Sequence, residues 1–167
     1  MATLSFLEPE PPPSDMLSID TNLLLYSYSE ASPHHRAARD FIDSVSRRSD
    51  VALSEFILTE FYLLLRNPAV LTQPLDASEA VAVIQSYRRH PLWKILGFPP
   101  TSRELHNELW KQAAQPAFAR RRIYDSRTAL SLRAFGVTDF ATANEKDFQD
   151  FGFQKVWNPL ALPGSTQ

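Results

Sequence analysis

A chain of 167 residues is long enough for one domain with a real core and too short for two of comfortable size. Its 44% hydrophobic and 22% charged residues exclude disorder over most of the length. With no Cys, disulfides and thiolate zinc sites are excluded as well, and a net charge of −2 does not announce a nucleic-acid binder.

Residues 1–15 are expected to form a flexible, Pro-rich N-terminal arm, because Pro9, Pro11, Pro12 and Pro13 bar helix and central strand. MATLSFLEPE lacks a basic segment followed by an apolar one, and the runs LLLY and FYLLL are far below membrane-spanning length, which predicts a cytoplasmic protein with no membrane contact. The domain is then expected over 16–160, with 161–167 as a tail. MLSI (16–19) reads as a short buried strand, and LLLYSYSE as a short helix behind Asp20. Ser32-Pro33 gives a cap and a first-turn proline to a helix with Ala37, Ala38, Phe41, Ile42 and Val45 on one face, ending near Arg48. VALS (51–54) is a second strand, and SEFILTEFYLLLRN a helix broken at Pro68. Ala77 to His90 is helical and stops before Pro91. WKILGF (93–98) is a third strand, and Thr101 to Glu104 a capping box opening a helix through Leu105, Leu109 and Ala113. Asp125 to Phe135 is a further helix, closed by Gly136, and TDFAT and KVW supply two more strands.

Short apolar strands alternating with helices predict an α/β fold with a mainly parallel sheet covered on both faces. Ligands of such sheets bind beyond the carboxyl ends of the strands, where Asp20 falls. Asp125, Asp147 and Asn144 also sit beside strand ends or helix starts. Glu60, between Leu58 and Phe61 on an apolar helix, needs a partner or a cation if it is ionised. Taken singly, Asp20 is a turn residue, Asp125 a helix cap and Asp147 an exposed loop acid. Taken together, carboxylates gathered at one edge repel one another unless a divalent cation neutralises them, and oxygen-only donors select Mg²⁺ or Mn²⁺. Such a site suits phosphoryl chemistry.

The segments SIDTNLLLY, LTEFYLLLRNP, RRIYDSRTALSLRAFGV and FATANEKDFQDFGFQKVWNPL resemble, in order and spacing, the PIN-domain ribonucleases, and in particular the VapC toxins of toxin–antitoxin pairs. The resemblance runs from about Met16 to Leu160. It implies a three-layer α/β/α sandwich around a central parallel sheet, Mg²⁺- or Mn²⁺-dependent cleavage of RNA, frequent homodimerisation and inhibition by an antitoxin. By position it makes Asp20 and Asp125 metal ligands and adds Glu60 as the helical acid of the catalytic set. The fourth place falls to Asn144 or to Asp147. Thr142 is then placed to position water or phosphate by its hydroxyl, and the Asn22 amide to hydrogen-bond Asp20 or hold the turn. Thirteen of the seventeen basic residues are Arg, a side chain that grips phosphate bidentately. Among them Arg120, Arg121 and Arg122, just ahead of Asp125, are expected to contact RNA or an acidic antitoxin segment. The four histidines, His34, His35, His90 and His106, are expected to have structural or surface roles.

With Asn22 in place of a second Asp, an aspartyl-phosphate phosphatase is disfavoured, and with four Gly and no glycine-rich phosphate motif, so is a nucleotide-binding fold. The alternative from another class is a PIN-fold RNA- or protein-binding module whose catalysis is impaired by Asn144. Leu24, Leu25, Tyr28, Phe61 and Leu65 are expected to form an antitoxin groove or dimer face, or else to pack in the core.

Overall fold

The computed structural model describes residues 15–161; nearly all of the expected arm and tail lies outside them. Five short strands, β1 (Met16–Ile19), β2 (Ala52–Ser54), β3 (Lys94–Leu96), β4 (Val137–Ala141) and β5 (Lys155–Trp157), alternate with six helices. These are α1 (Thr21–Tyr28), α2 (His35–Val45), α3 (Glu55–Leu65), α4 (Ala77–Arg88), α5 (Ser102–Ala113) and α6 (Arg122–Ala134). Two 3-10 turns, Glu145–Asp147 and Gln149–Phe151, precede β5.

All strand pairings are parallel: β1 with β4, β4 with β5, and β2 with β3. A parallel bridge between Leu17 and Val51 joins the two groups, so the strands run β3-β2-β1-β4-β5 across the molecule. The chain leaves β1 toward β2 and β3 on one side, then returns to place β4 on the other. Brackets of this kind open a crevice at the carboxyl ends of the two central strands, β1 and β4.

Helices α1 to α4 pack on one another, and α5 packs on α6, giving helical layers around the sheet as expected for the α/β/α sandwich. The core between them is built from Leu17 and Ile19 of β1, Leu53 of β2, Phe140 of β4, Leu23 and Leu24 of α1, Ile57, Leu58, Phe61 and Leu65 of α3, and Leu132 of α6. Helix α1 is almost wholly sunk in this core, which is why its sequence shows no polar face. Leu24, Leu25, Phe61 and Leu65 are therefore core residues, and of the apolar set proposed as a docking face only Tyr28 reaches the surface.

Local rules explain most helix ends. Ser54 accepts a hydrogen bond from the Phe56 amide and caps α3. Asp76 and Glu79 form a reciprocal capping box on α4, a pattern readable in DASE. The box expected at Thr101–Glu104 does not form, since Thr101 makes no side-chain cap bond. At the far end of α6, Gly136 adopts φ +86°, the left-handed backbone conformation that glycine takes without strain and that turns the chain into β4. Among the described residues no helix is long and apolar enough to cross a membrane.

Candidate active site

Asp20 is the first residue after β1, and its backbone N–H still donates to Ala141 of β4 at 2.9 Å. The register pairs Ser18 with Phe140 and Ile19 with Ala141, so the next positions along, Asp20 and Thr142, stand side by side at the crevice. The Thr142 hydroxyl donates to Asp20 Oδ2 at 2.6 Å and accepts from the Asn144 N–H at 3.0 Å. Asp20 Oδ1 accepts from the Thr21 N–H at 2.8 Å, capping α1. Asn22 holds the β4 exit from the other side, its Oδ1 accepting from the Ala143 N–H at 3.3 Å. Thr21 reaches across to α3, where its hydroxyl donates to Glu60 Oε2 at 3.0 Å.

Asp125 lies inside the first turn of α6, which begins at Arg122, three residues earlier than expected. It makes no cap bond, so the helix-cap explanation does not hold for it. Burial pushes the Asp20 carboxyl up to about 7; the negative charges of Glu60 and Asp125 add to this, against the hydrogen bonds from Thr142 and Thr21. Asp125 is pushed up to about 6, first by burial and then by Glu60 and Asp147, with Arg122 opposing. The four acids therefore act on one another in a chain, Asp20 with Glu60 and Asp125, and Asp125 with Asp147. Among the described residues none of the four is in an ion pair.

Asp147 and Asn144 are exposed and flank one hollow at the rim with Ala143, Glu145 and Lys146. The Asp147 N–H donates to the Asn144 carbonyl at 3.1 Å. Among the described residues no three His, Asp or Glu side chains are spaced to hold a metal ion by themselves. Mutual charge without close convergence is compatible with an ion held by one or two carboxylates and completed by water and phosphate, the habit of Mg²⁺.

No family model matches the chain. A curated relative, Ribonuclease VapC24 of Mycobacterium tuberculosis, is 48% identical over 149 residues, which cover 89% of this chain and all of the relative, in each of two strains. The chain belongs to the VapC family. Among solved structures, the M. tuberculosis VapC20, described as a sarcin-ricin loop cleaving toxin, has a TM-score of 0.61 at 18% identity, covering 82% of this chain and 95% of that one. VapBC2 of Rickettsia felis, bound to a promoter DNA fragment, has a TM-score of 0.56 at 14% identity over 86% and 98%. At these identities the two structures establish the shared VapC fold and no more.

Within this VapC fold the basic run divides. Arg120 and Arg121 are exposed in the turn before α6. Arg122 lies over the Phe151 ring at 5.7 Å and near Asp150 at 3.9 Å, and it is the cation that acts on Asp125. None of the histidines joins the acids: His35 contacts the Tyr26 carbonyl, His90 stacks on Trp93, and His106 contacts the Ser102 carbonyl. Two further side chains stand beside the acids. Thr21, next to Asp20 in the chain, is the link to Glu60, and its hydroxyl following the strand-end acid was the available clue. Arg127, on α6 beyond Asp125, lies over the Phe56 ring at 4.2 Å; nothing local announces it, because Phe56 is far away in sequence.

Proposed function

We propose that the chain is an endoribonuclease dependent on Mg²⁺ or Mn²⁺, acting in the cytoplasm as the toxin of a type II toxin–antitoxin pair. The observation that carries this reading is Asp20, a buried carboxylate at the sheet's switch point, with Glu60 and Asp125 acting on it and, among the described residues, no ion pair to any of the three. The name of the relative, Ribonuclease VapC24, supports the reaction class. Asp20 and Asp125 are the proposed metal ligands. A divalent ion bound there supplies charge neutralisation at the scissile phosphate and lowers the pKa of the attacking water.

The protein's own groups divide the remaining work. The Thr142 hydroxyl holds Asp20 Oδ2 in one orientation, as outer partners of metal-binding carboxylates do. Glu60, with Oε2 taken by Thr21, keeps Oε1 to accept the proton that the attacking water gives up. Asp147 and Asn144 complete the site from the rim, Asp147 as the charged member and Asn144 as a neutral oxygen donor. Arg120, Arg121 and Arg122 are placed to pair with phosphates flanking the cut. An antitoxin protein is the proposed partner, in keeping with the VapBC2 assembly, and a homodimer the proposed state of the free chain.

The test is cleavage of RNA with Mg²⁺ or Mn²⁺ by the purified chain. Activity is expected to vanish in Asp20→Asn and in Asp125→Asn; equal activity in these variants refutes the assignment. The exposed Asn144 amide at the fourth place favours the second reading, a binding module with impaired catalysis, and RNA binding without cleavage in either metal would select it.

A further inference from the structure

Beside the acids, helices α3 and α6 enclose a pocket of about 280 Å³. Its α3 wall is Phe56, Thr59, Glu60 and Leu63, and its α6 wall is Tyr124, Arg127 and Thr128. The spacing i, i+3, i+4, i+7 on one helix and i, i+3, i+4 on the other puts each set on a single face. Tyr124 is 63% exposed and Leu63 62% exposed, an unusual amount of uncovered apolar surface next to a charged site. The Arg127 guanidinium lies 4.2 Å from the Phe56 centroid and 5.8 Å from that of Tyr124. It is in no ion pair among the described residues, and its Nε is buried without a hydrogen-bond partner. Phe98, 71% exposed, meets Phe56 edge to face at 5.2 Å.

We propose that this pocket receives one unstacked nucleobase of the RNA next to the scissile phosphate, with Tyr124 as the stacking face and Arg127 as its planar floor. The inference rests on the ribonuclease reading and adds to it a base-holding subsite. Three features select a base over other occupants. Glu60 forms both a wall of the pocket and part of the acid group, so an occupant of the pocket is continuous with whatever lies over Asp20. The Glu60 carboxylate in the wall disfavours a further phosphate inside the pocket, whereas a neutral base meets no such repulsion. Aromatic rings combined with an Arg plane are the usual platform for single-stranded bases. The volume, just under the roughly 300–1,000 Å³ of most small-molecule sites, suits a single planar ring system. A protein segment, such as an antitoxin side chain, is the competing occupant.

The experiment uses the full chain without divalent ions, so that binding is read separately from cleavage. The probes are two short single-stranded RNAs, one wholly abasic and one abasic except for a single 2-aminopurine. In the wild-type chain the lone base is expected to raise affinity about tenfold, within the range for one base stacked on an aromatic side chain, and its fluorescence to be quenched. Both effects are expected to disappear in Tyr124→Ala and return in Tyr124→Phe; Tyr124 is exposed, so loss of folding is not a competing explanation. The proposal is overturned if the lone base adds no affinity, if Tyr124→Ala leaves its contribution intact, or if Tyr124→Ala weakens only antitoxin binding. RNA cleavage with Mg²⁺ but no base effect would remove the pocket and leave the nuclease. A base effect without cleavage would do the reverse.

Discussion

Two parts of the same acid group are held in opposite ways. At the strand end, Asp20 has both carboxylate oxygens occupied, by the Thr21 amide and the Thr142 hydroxyl, and only 9% of its surface is exposed. At the rim, Asn144 and Asp147 are exposed, and among the described residues neither side chain is in a hydrogen bond. The first acid is oriented before any ligand arrives, whereas the rim residues can still move to meet one. A preorganised ligand must be of one kind to fit its cage, but a rim position tolerates an amide or an acid. On the proposed reading, this difference lets the fourth place fall to either Asn144 or Asp147, whereas the place of Asp20 admits no alternative.

The comparison breaks first at Asp20. Asp20→Asn keeps an oxygen able to cap α1 and should fold, yet cleavage assayed with Mg²⁺ is expected to drop by at least about a thousandfold, as for loss of a group acting directly on the transition state. Removing only the support comes next. Thr142→Val deletes the donor to Asp20, and activity is expected to fall about 10- to 100-fold, the usual cost of losing an outer partner of a metal ligand. Thr142→Ser should recover most of it, and a loss equal to that of Asp20→Asn would show that the hydroxyl itself touches substrate.

At the rim the effects should be smaller. Asp147→Asn is expected to lower kcat/KM about tenfold, equivalent to roughly 1.4 kcal/mol, and Asn144→Ala by less, with melting temperatures unchanged because both side chains are exposed. If Asn144→Ala is the more damaging of the two, the roles of the pair are reversed.

The same contrast between the acids should also show in stability as a function of pH. Asp20 titrates in the folded protein at about 7 and Asp125 at about 6, above the values of about 3.9 for an unfolded chain. Between these limits the folded state binds more protons than the unfolded one, so stability falls as pH rises from about 4 to 7 and then levels off. In a chelating buffer the melting temperature is expected to decline across that window. Mg²⁺ should restore it, more at pH 8 than at pH 5, and Asp20→Asn should flatten both responses. A melting temperature that is independent of pH in the chelator would show that the crowded carboxylates cost nothing.

Much of this molecule is legible locally. MLSI, VALS and KVW are apolar runs too short to be helices and flanked by polar residues, and each forms a strand. The helix around Glu60 follows from a Ser cap and an apolar run that ends before Pro68. Errors arise where a local signal competes with packing. Thr101 to Glu104 has the residues of a capping box, but Thr101 takes φ −92° and ψ 32°, outside the extended geometry a capping side chain requires. Asp125 resembles a cap because RRRIY has no apolar rhythm, yet Arg122, Ile123 and Tyr124 of that run open the first turn of α6. For Leu24, Leu25, Phe61 and Leu65 the sequence left a docking face and core packing both open, and burial decides for the core.

By itself the sequence determined the alternation of strands and helices, the placing of Asp20 at a strand's carboxyl end, and the order of acids by which the family is recognised. These depend on residue type and short spacing, which act within one element. Only the tertiary structure decided that β4 lies beside β1 in the register that brings Thr142 to Asp20, that Thr21 ties Glu60 to the strand end, and that Arg127 lies over Phe56. Each of these contacts joins residues remote in sequence. Which remote groups meet is set by the packing of α1, α3 and α6 against the sheet, because the free energy of that packing belongs to the whole core rather than to any segment of it.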